Sequence, residues 1–155
     1  MRFDEMIEHV WTCPKCNARL VMRNMSHSCF KTTVRTFFAG KPQRGVAIAK
    51  ALIAEARTLG PVTLHPVKTR IALMVDVRFA AIYRISQDSI RGHLWLKERH
   101  ATDRFERIEQ LGRDYLYHFV ISDERPIDDE LRRFLAMSYE IGRRKHIAVR
   151  TPTPQ

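Results

Sequence analysis

All three cysteines of this 155-residue chain lie in one short stretch that also contains a histidine. Cys13 and Cys16 form a C-x2-C pair, and an H-x-C pair formed by His27 and Cys29 follows it. Three thiolates and one imidazole are the four donors that a closed tetrahedral zinc site requires. Pro14 favours a tight turn between the first two ligands, because its ring restricts φ. The stretch therefore predicts a structural Zn²⁺ ion with no coordination position left for a substrate.

Two other interpretations of these cysteines remain open. An odd number of cysteines cannot form a fully paired disulfide framework, so the thiols could be reduced side chains without a metal. A C-x-x-C pair can also serve in redox chemistry, but thioredoxin-like motifs belong to a βαβ unit and none surrounds Cys13. The number and spacing of the donors favour zinc.

Positive charge is concentrated in the first part of the chain. The formal net charge is +10, and no acidic residue occurs between Glu8 and Glu55. Such a segment attracts polyanions, so the charge distribution favours salt-sensitive contact with nucleic acid, although a solvated basic face without a partner is the alternative. The residues expected to contact phosphates lie in and around the zinc stretch: Lys15, Arg19, Arg23, Lys31 and Arg35.

A second candidate site involves histidines on predicted strands. If His93 and His118 meet, with Lys68 and Arg70 at the entry to a neighbouring strand, they would form a small cationic pocket for a carboxylate or phosphate. His65 is a third histidine on a predicted strand or its edge. Strand histidines commonly serve structure alone, and no Ser, Asp or further Cys is placed to complete a catalytic triad.

Side-chain alternation sets the condition for that pocket. His93 and Trp95 share one face of their strand, because residues two apart point the same way. His118 joins them only if Tyr117 and Phe119 of its own strand turn toward the helices. Otherwise His118 is a buried core residue and no site forms.

The elements that must position these residues follow from hydrophobic periodicity. A helix is predicted with Pro42 in its first turn and Val46 to Leu59 as its body, ended by Gly60, and a second helix follows the capping residue Asp128. Between them the apolar period changes to two, and short turns predict an antiparallel meander. The predicted fold class is α+β, with about five strands, two main helices on one sheet face and a small zinc-ribbon-like module in front.

The expected domain organisation follows from these elements. Residues 1–40 would form the zinc-binding module with flanking short helices, residues 41–142 the α+β domain, and residues 143–155 a basic disordered tail. No apolar run reaches the length of a membrane helix and the chain does not open with a signal peptide, so we expect a cytoplasmic protein without a membrane partner. No P-loop, dinucleotide-binding or nucleophile-elbow motif is present.

Several short motifs, W-T-C-P-K-C, S-H-S-C, K-T-R-I-A-L, H-L-W-L and Y-H-F, lie between Trp11 and Gly142. With them the chain resembles a bacterial family of unknown function whose members are sometimes labelled predicted transport proteins. The resemblance implies a zinc module attached to an α+β domain, but no established activity and no catalytic residues. The transport label gains no support from the sequence, which has no membrane segment.

Three functions remain as hypotheses. The first is a binding module that contacts nucleic acid or another polyanion through the basic N-terminal half. The second is an enzyme or anionic-ligand sensor with a pocket on the sheet. The third is a protein-interaction adaptor that docks through the zinc module.

Overall fold

The computed structural model describes residues 11–14, 19–20 and 32–143. Within these ranges the chain forms a six-stranded antiparallel sheet, a small two-stranded sheet and three helices. The small sheet pairs β1 (Trp11–Thr12) with β2 (Arg19–Leu20). The main sheet contains β3 (Thr63–Pro66), β4 (Ile71–Met74), β5 (Arg78–Ile85), β6 (Ser89–Leu96), β7 (Arg107–Leu111) and β8 (Asp114–Ser122). The helices are α1 (Val34–Phe38), α2 (Gln43–Arg57) and α3 (Asp129–Gly142). The predicted α+β class is confirmed.

Capping residues set the helix ends. The side chain of Asp128 accepts a hydrogen bond from the Leu131 amide at 2.8 Å, as an N-cap does. Helix α2 begins directly after Pro42, at the predicted first turn, and the φ of Pro42, −57°, suits a helix start. It ends at Arg57, and Gly60 follows with a φ of 148°, a conformation that favours glycine.

The core lies between the sheet and the two long helices. Leu52 of α2 and Phe134 of α3 are completely buried against sheet residues such as Leu94, Tyr117 and Phe119. Both long helices therefore pack on one face of the sheet, as predicted. The opposite face is called the far face below.

The strand order differs from a simple meander. The order is β3-β4-β5-β6-β8-β7, so the last strand lies between β6 and β7, and the sheet has six strands rather than about five. Strand β8 carries large apolar side chains such as Tyr117 and Phe119 and pairs with β6 from Tyr115 to Ser122. Strand β7 is short and mostly exposed, which suits the edge of a sheet.

Residues 97–106 make this order possible by linking β6 to the edge strand. Arg104 anchors the link: its guanidinium donates to the carbonyls of Val120 and Pro126 and lies 3.0 Å from the Asp128 carboxylate. The buried arginine thus joins the link, β8 and the start of α3. No local pattern in the sequence predicts this arrangement.

Several predicted residues lie outside the described ranges. They are Cys16, His27 and Cys29 among the zinc ligands, and Lys15, Arg23 and Lys31 among the basic residues; for Arg19 only the backbone strand is described. The domain boundaries near residues 40 and 142 stay predictions, and most of the tail lies beyond the described residues. Across the described part of the chain, no helix is long and apolar enough to cross a membrane.

Candidate functional site

Strand register places two histidines side by side on the far face. The cross-strand partners across the six strands form one row: His65, Ala72, Ala81, His93, His118 and Arg107. Neighbouring strands are about 4.8 Å apart, so His65 lies about 14 Å from His93 and does not belong to the same group. The structure therefore brings His93 and His118 together and leaves His65 outside.

The rings of the two histidines pack against each other and against Trp95. The ring centroids of His93 and His118 are 5.5 Å apart, and Trp95 lies 5.0 Å from His93. Both histidines are buried, with 8% and 4% of their surface exposed. Tyr117 and Phe119 turn toward the helices and belong to the core, so the condition set by alternation is met.

A hydrogen-bonded chain of three side chains passes through His118. The Tyr83 hydroxyl lies 3.0 Å from Nδ1 of His118, and Nε2 of the same ring lies 2.9 Å from Oε1 of Glu109. When His118 is neutral, Nε2–H donates to the Glu109 carboxylate and Nδ1 accepts from the Tyr83 hydroxyl. When His118 is protonated, both nitrogens donate, and the Tyr83 O–H becomes available to a ligand.

The pKa values of the two outer groups fit this arrangement. The hydrogen bond from His118 lowers the pKa of Glu109, so the carboxylate stays ionised. Burial raises the pKa of Tyr83 above its ordinary value of 10.0, an effect partly opposed by the positive charge of Arg107. Tyr83 therefore keeps its proton near neutral pH and is a donor rather than a phenolate.

A register irregularity interrupts the pairing of β5 with β6 at Tyr83, which lies on the face of Ala81. Ile82 pairs with Gly92 and Arg84 pairs with Arg91, so Tyr83 has no partner residue on β6. Such a β-bulge leaves one residue of the longer strand without a cross-strand partner. The ring of Tyr83 lies 5.7 Å from the ring of His93 on the far face.

His93 combines burial with an unpaired nitrogen. Its Nδ1 is buried and has no hydrogen-bond partner among the described residues. Burial, followed by the charges of His118, Arg70 and Arg78, lowers the pKa of His93 from 6.5 to about 4. The ring is therefore neutral at pH 7. An unpaired buried nitrogen costs about 1–3 kcal/mol, and native proteins keep few of them.

Two arginines bring positive charge to His93. Arg70 is half-buried in the turn between β3 and β4, and Arg78 lies with its guanidinium 5.8 Å from the centroid of the Trp95 ring. Burial and then the charge of Arg70 lower the pKa of Arg78. Within the described residues neither forms an ion pair. Lys68 is exposed in the same turn and makes none of the described contacts of this group.

The far-face cluster is defined here by its seven members: Arg70, Arg78, Tyr83, His93, Trp95, Glu109 and His118. In the ranges that the structure describes, no three His, Cys, Asp or Glu side chains are grouped so that they could hold a metal ion. Within this cluster, the guanidinium groups of the two arginines are the ones whose geometry suits carboxylate and phosphate oxygens.

A second basic surface lies between α1 and α2. Two adjoining clefts of about 520 Å³ and 940 Å³ share Val34, Phe38 and Lys50. Their charged lining residues are cations only: Arg35, Lys41, Lys50 and Arg57. Arg35 is the one predicted phosphate contact whose side chain lies in the described part, and it is exposed.

Three members of the far-face cluster escape sequence analysis. Tyr83 lies two residues after Ala81 and therefore on the same face of β5. Only the register between strands shows that Ala81 lies beside His93. Glu109 falls in a segment that the sequence leaves as strand or irregular structure. Arg78 begins a strand and carries no motif. A polar side chain inside an apolar strand, such as Tyr83 in the F-A-A-I-Y-R-I run, is the signal that could have identified it.

A family model described as "Domain of unknown function (DUF5655)" matches residues 34–142. No curated protein and no solved structure matches the chain. The family match agrees with the resemblance to a family of unknown function; it begins after the predicted zinc module and tests neither that module nor the transport label. Because the match covers more than half of the chain, the chain belongs to this family.

Proposed function

We propose that this DUF5655 protein binds a small anionic ligand, a phosphate or carboxylate compound, on the far face of its sheet. The observation that carries the proposal is the buried Nδ1 of His93, which has no hydrogen-bond partner in the described part of the chain, beside two arginines that form no ion pair there. A ligand that supplies an anionic oxygen and one hydrogen-bonding group would satisfy all three side chains at once.

Chemical complementarity defines the class of ligand. Arg70 and Arg78 offer planar donor groups that suit carboxylate and phosphate oxygens. Trp95 and Tyr83 pack against His93 with aromatic surface, so a ligand with a flat or apolar body would suit this part of the far face beside the anion. Arg107 and Glu109 are exposed at the edge strand, where such a ligand would enter.

Thermal and urea unfolding in the presence of phosphate or pyrophosphate test this proposal. A ligand at one hundred times its Kd stabilises the native state by about 2.7 kcal/mol. Arg70→Ala, Arg78→Ala and His93→Gln should each reduce the stabilisation. Arg113→Ala removes an equal charge from the exposed turn before β8 and should leave it intact. Absence of stabilisation by either anion, or an equal loss in the Arg113 variant, would contradict the proposal.

A second candidate function is polyanion binding through the basic N-terminal half. It is supported by the clefts between α1 and α2, whose charged lining residues are all cations and include Arg35 and Lys50. Lys15, Arg19, Arg23 and Lys31 would extend that surface. Affinity for a nucleic-acid duplex should fall steeply with salt, and Arg35→Ala with Lys50→Ala should reduce the salt slope, whereas His93→Gln should not.

The zinc module belongs to both proposals as a structural element. Cys13, Cys16, His27 and Cys29 would hold one Zn²⁺ ion; of these four, Cys13 lies in the described residues and is 3% exposed. A docking role for this module with a protein partner is the third candidate. A cytoplasmic location remains an expectation that fits thiols kept reduced for a metal.

A further inference from the structure

A cleft between α1 and α2 combines an apolar floor with a rim of positive charge. The floor is built by side chains of both helices and of β3: Val34, Phe38, Val46, Ile53 and Leu64. The rim carries four cations: Arg35, Lys41, Lys50 and Arg57. None of the four forms an ion pair within the described residues, and the one acid of α2, Glu55, is held by Arg132 of α3 at 2.8 Å.

The cleft has the length and the lining of a groove for a helix. It extends along α2, which runs from Gln43 to Arg57 and is about 22 Å long. Its lining residues on α2 share one face of the helix, because they are three or four positions apart: Val46, Lys50, Ile53 and Arg57. An amphipathic helix that carries carboxylates would cover the floor and neutralise the rim, whereas a phosphate backbone would leave the floor exposed.

The first ten residues of the chain have the complementary pattern. They contain three carboxylates, Asp4, Glu5 and Glu8, which are the only acidic residues in the sequence before Glu55. Four apolar residues follow the spacing of one helix face: Phe3, Met6, Ile7 and Val10. Because successive residues of a helix are about 100° apart, Asp4 borders one edge of this apolar stripe and Glu5 the other. Residues 1–10 lie outside the described ranges, and the pattern is a property of the sequence.

We propose that residues 1–10 dock in this cleft as an amphipathic helix, with the apolar stripe on the floor and the carboxylates of Asp4 and Glu5 toward the cationic rim. A helix of ten residues is about 15 Å long, which the cleft accommodates. About twenty residues join Trp11 to α1, and an extended chain of that length reaches roughly 60 Å. A short helix is marginal alone in water and gains most of its stability by burying an apolar face.

Attachment to the same chain makes a weak contact sufficient for docking. A tethered segment meets its site at an effective concentration that reaches the millimolar range for short linkers. The docked segment would cover Arg35 and Lys50, the two cations that the second candidate function assigns to a polyanion. Docking itself needs no polyanion, but a polyanion at this cleft would have to displace the segment.

Zero-length crosslinking of the whole 155-residue chain tests the docking. A carbodiimide couples a carboxylate to a lysine amine only when the two groups are in contact, and mass spectrometry of the digest identifies the pair. Lys50 is exposed at the cleft, so we expect it to be coupled to Asp4 or Glu5. Lys97 and Asp114 form an ion pair of 2.5 Å, and their coupling is the internal positive control.

Two variants separate docking from general attraction between charges. Lys50→Arg keeps the positive charge but has no amine to couple, so the N-terminal link should be lost and the Lys97 link should stay. Phe3→Ser combined with Ile7→Ser keeps every charge and removes half of the apolar stripe. The yield of the Lys50 link should then fall by about tenfold, since burial of one large apolar side chain contributes about that factor in affinity. His9→Gln, outside the stripe, should leave the yield unchanged.

The outcomes distinguish this docking from polyanion binding. Absence of the Lys50 link while the control pair is coupled, or full yield in the serine double variant, overturns the docking. A link found only between two chains overturns docking within one chain. If the segment occupies the cleft about nine-tenths of the time, the serine double variant should bind a nucleic-acid duplex about tenfold more tightly than wild type. Equal duplex affinity with the link present retains the docking and removes the polyanion from this cleft, whereas salt-sensitive duplex binding without the link retains the polyanion alone.

Discussion

Burial of His93 should make the stability of this protein depend on pH in a defined window. The ring has a pKa of about 4 in the native state and about 6.5 when unfolded. Between these values the unfolded chain binds more protons than the native chain, so the free energy of unfolding falls as the pH falls. The effect is absent above pH 6.5 and complete below pH 4.

The magnitude follows from the same two pKa values. Each pKa unit corresponds to about 1.4 kcal/mol, so a decrease from 6.5 to about 4 costs about 3 kcal/mol of stability. That is a large part of the 5–15 kcal/mol typical of a folded domain. The groups that face His93 are Tyr83, Trp95, His118, Arg70 and Arg78, with Glu109 beyond His118.

Urea unfolding of wild type and His93→Gln at pH 7, 6, 5 and 4 measures this contribution. Glutamine does not titrate, so the variant should lose about 3 kcal/mol less between pH 7 and pH 4 than wild type does. The carboxylates titrate in both proteins, so their contributions to the free energy of unfolding cancel in the difference between wild type and variant. Two curves that stay parallel over the whole range would refute the argument that burial keeps His93 neutral.

Three further predictions concern the scaffold. Arg104→Met leaves the Asp128 carboxylate and several carbonyls without their donor, so we expect a loss of about 3 kcal/mol in urea unfolding; a loss below about 1 kcal/mol would contradict the anchoring role. In Gly92→Val the new Cβ would lie 2.2 Å from the Ala81 carbonyl oxygen and 2.5 Å from the Phe119 ring. The melting temperature of the variant should therefore fall clearly. An unchanged melting temperature would show that β6 can shift to make room. Purified protein should contain about one zinc per chain by elemental analysis and Cys16→Ser should contain far less; equal metal content in both would exclude Cys16 as a ligand.

Some features of the fold and the site could be predicted because they depend on local pattern. Apolar spacing along the chain identified both long helices and the change to strands. Alternation placed His93 and Trp95 on one face, since that relation involves a single strand. Asp128 and the acidic residues that follow it also form a local pattern, which indicated a helix start. The structure confirms that start.

What the sequence alone determined is therefore the set of elements, the faces within each strand and the grouping of charge and cysteines. Only the tertiary structure decided that β8 lies between β6 and β7, that His93 faces His118, and that Tyr83 lies beside both. It also placed Glu109 on an edge strand within reach of His118. These relations depend on register between strands far apart in sequence, which is set by how whole side-chain faces pack together. No short segment carries that information, because each strand could satisfy its own alternation in several registers.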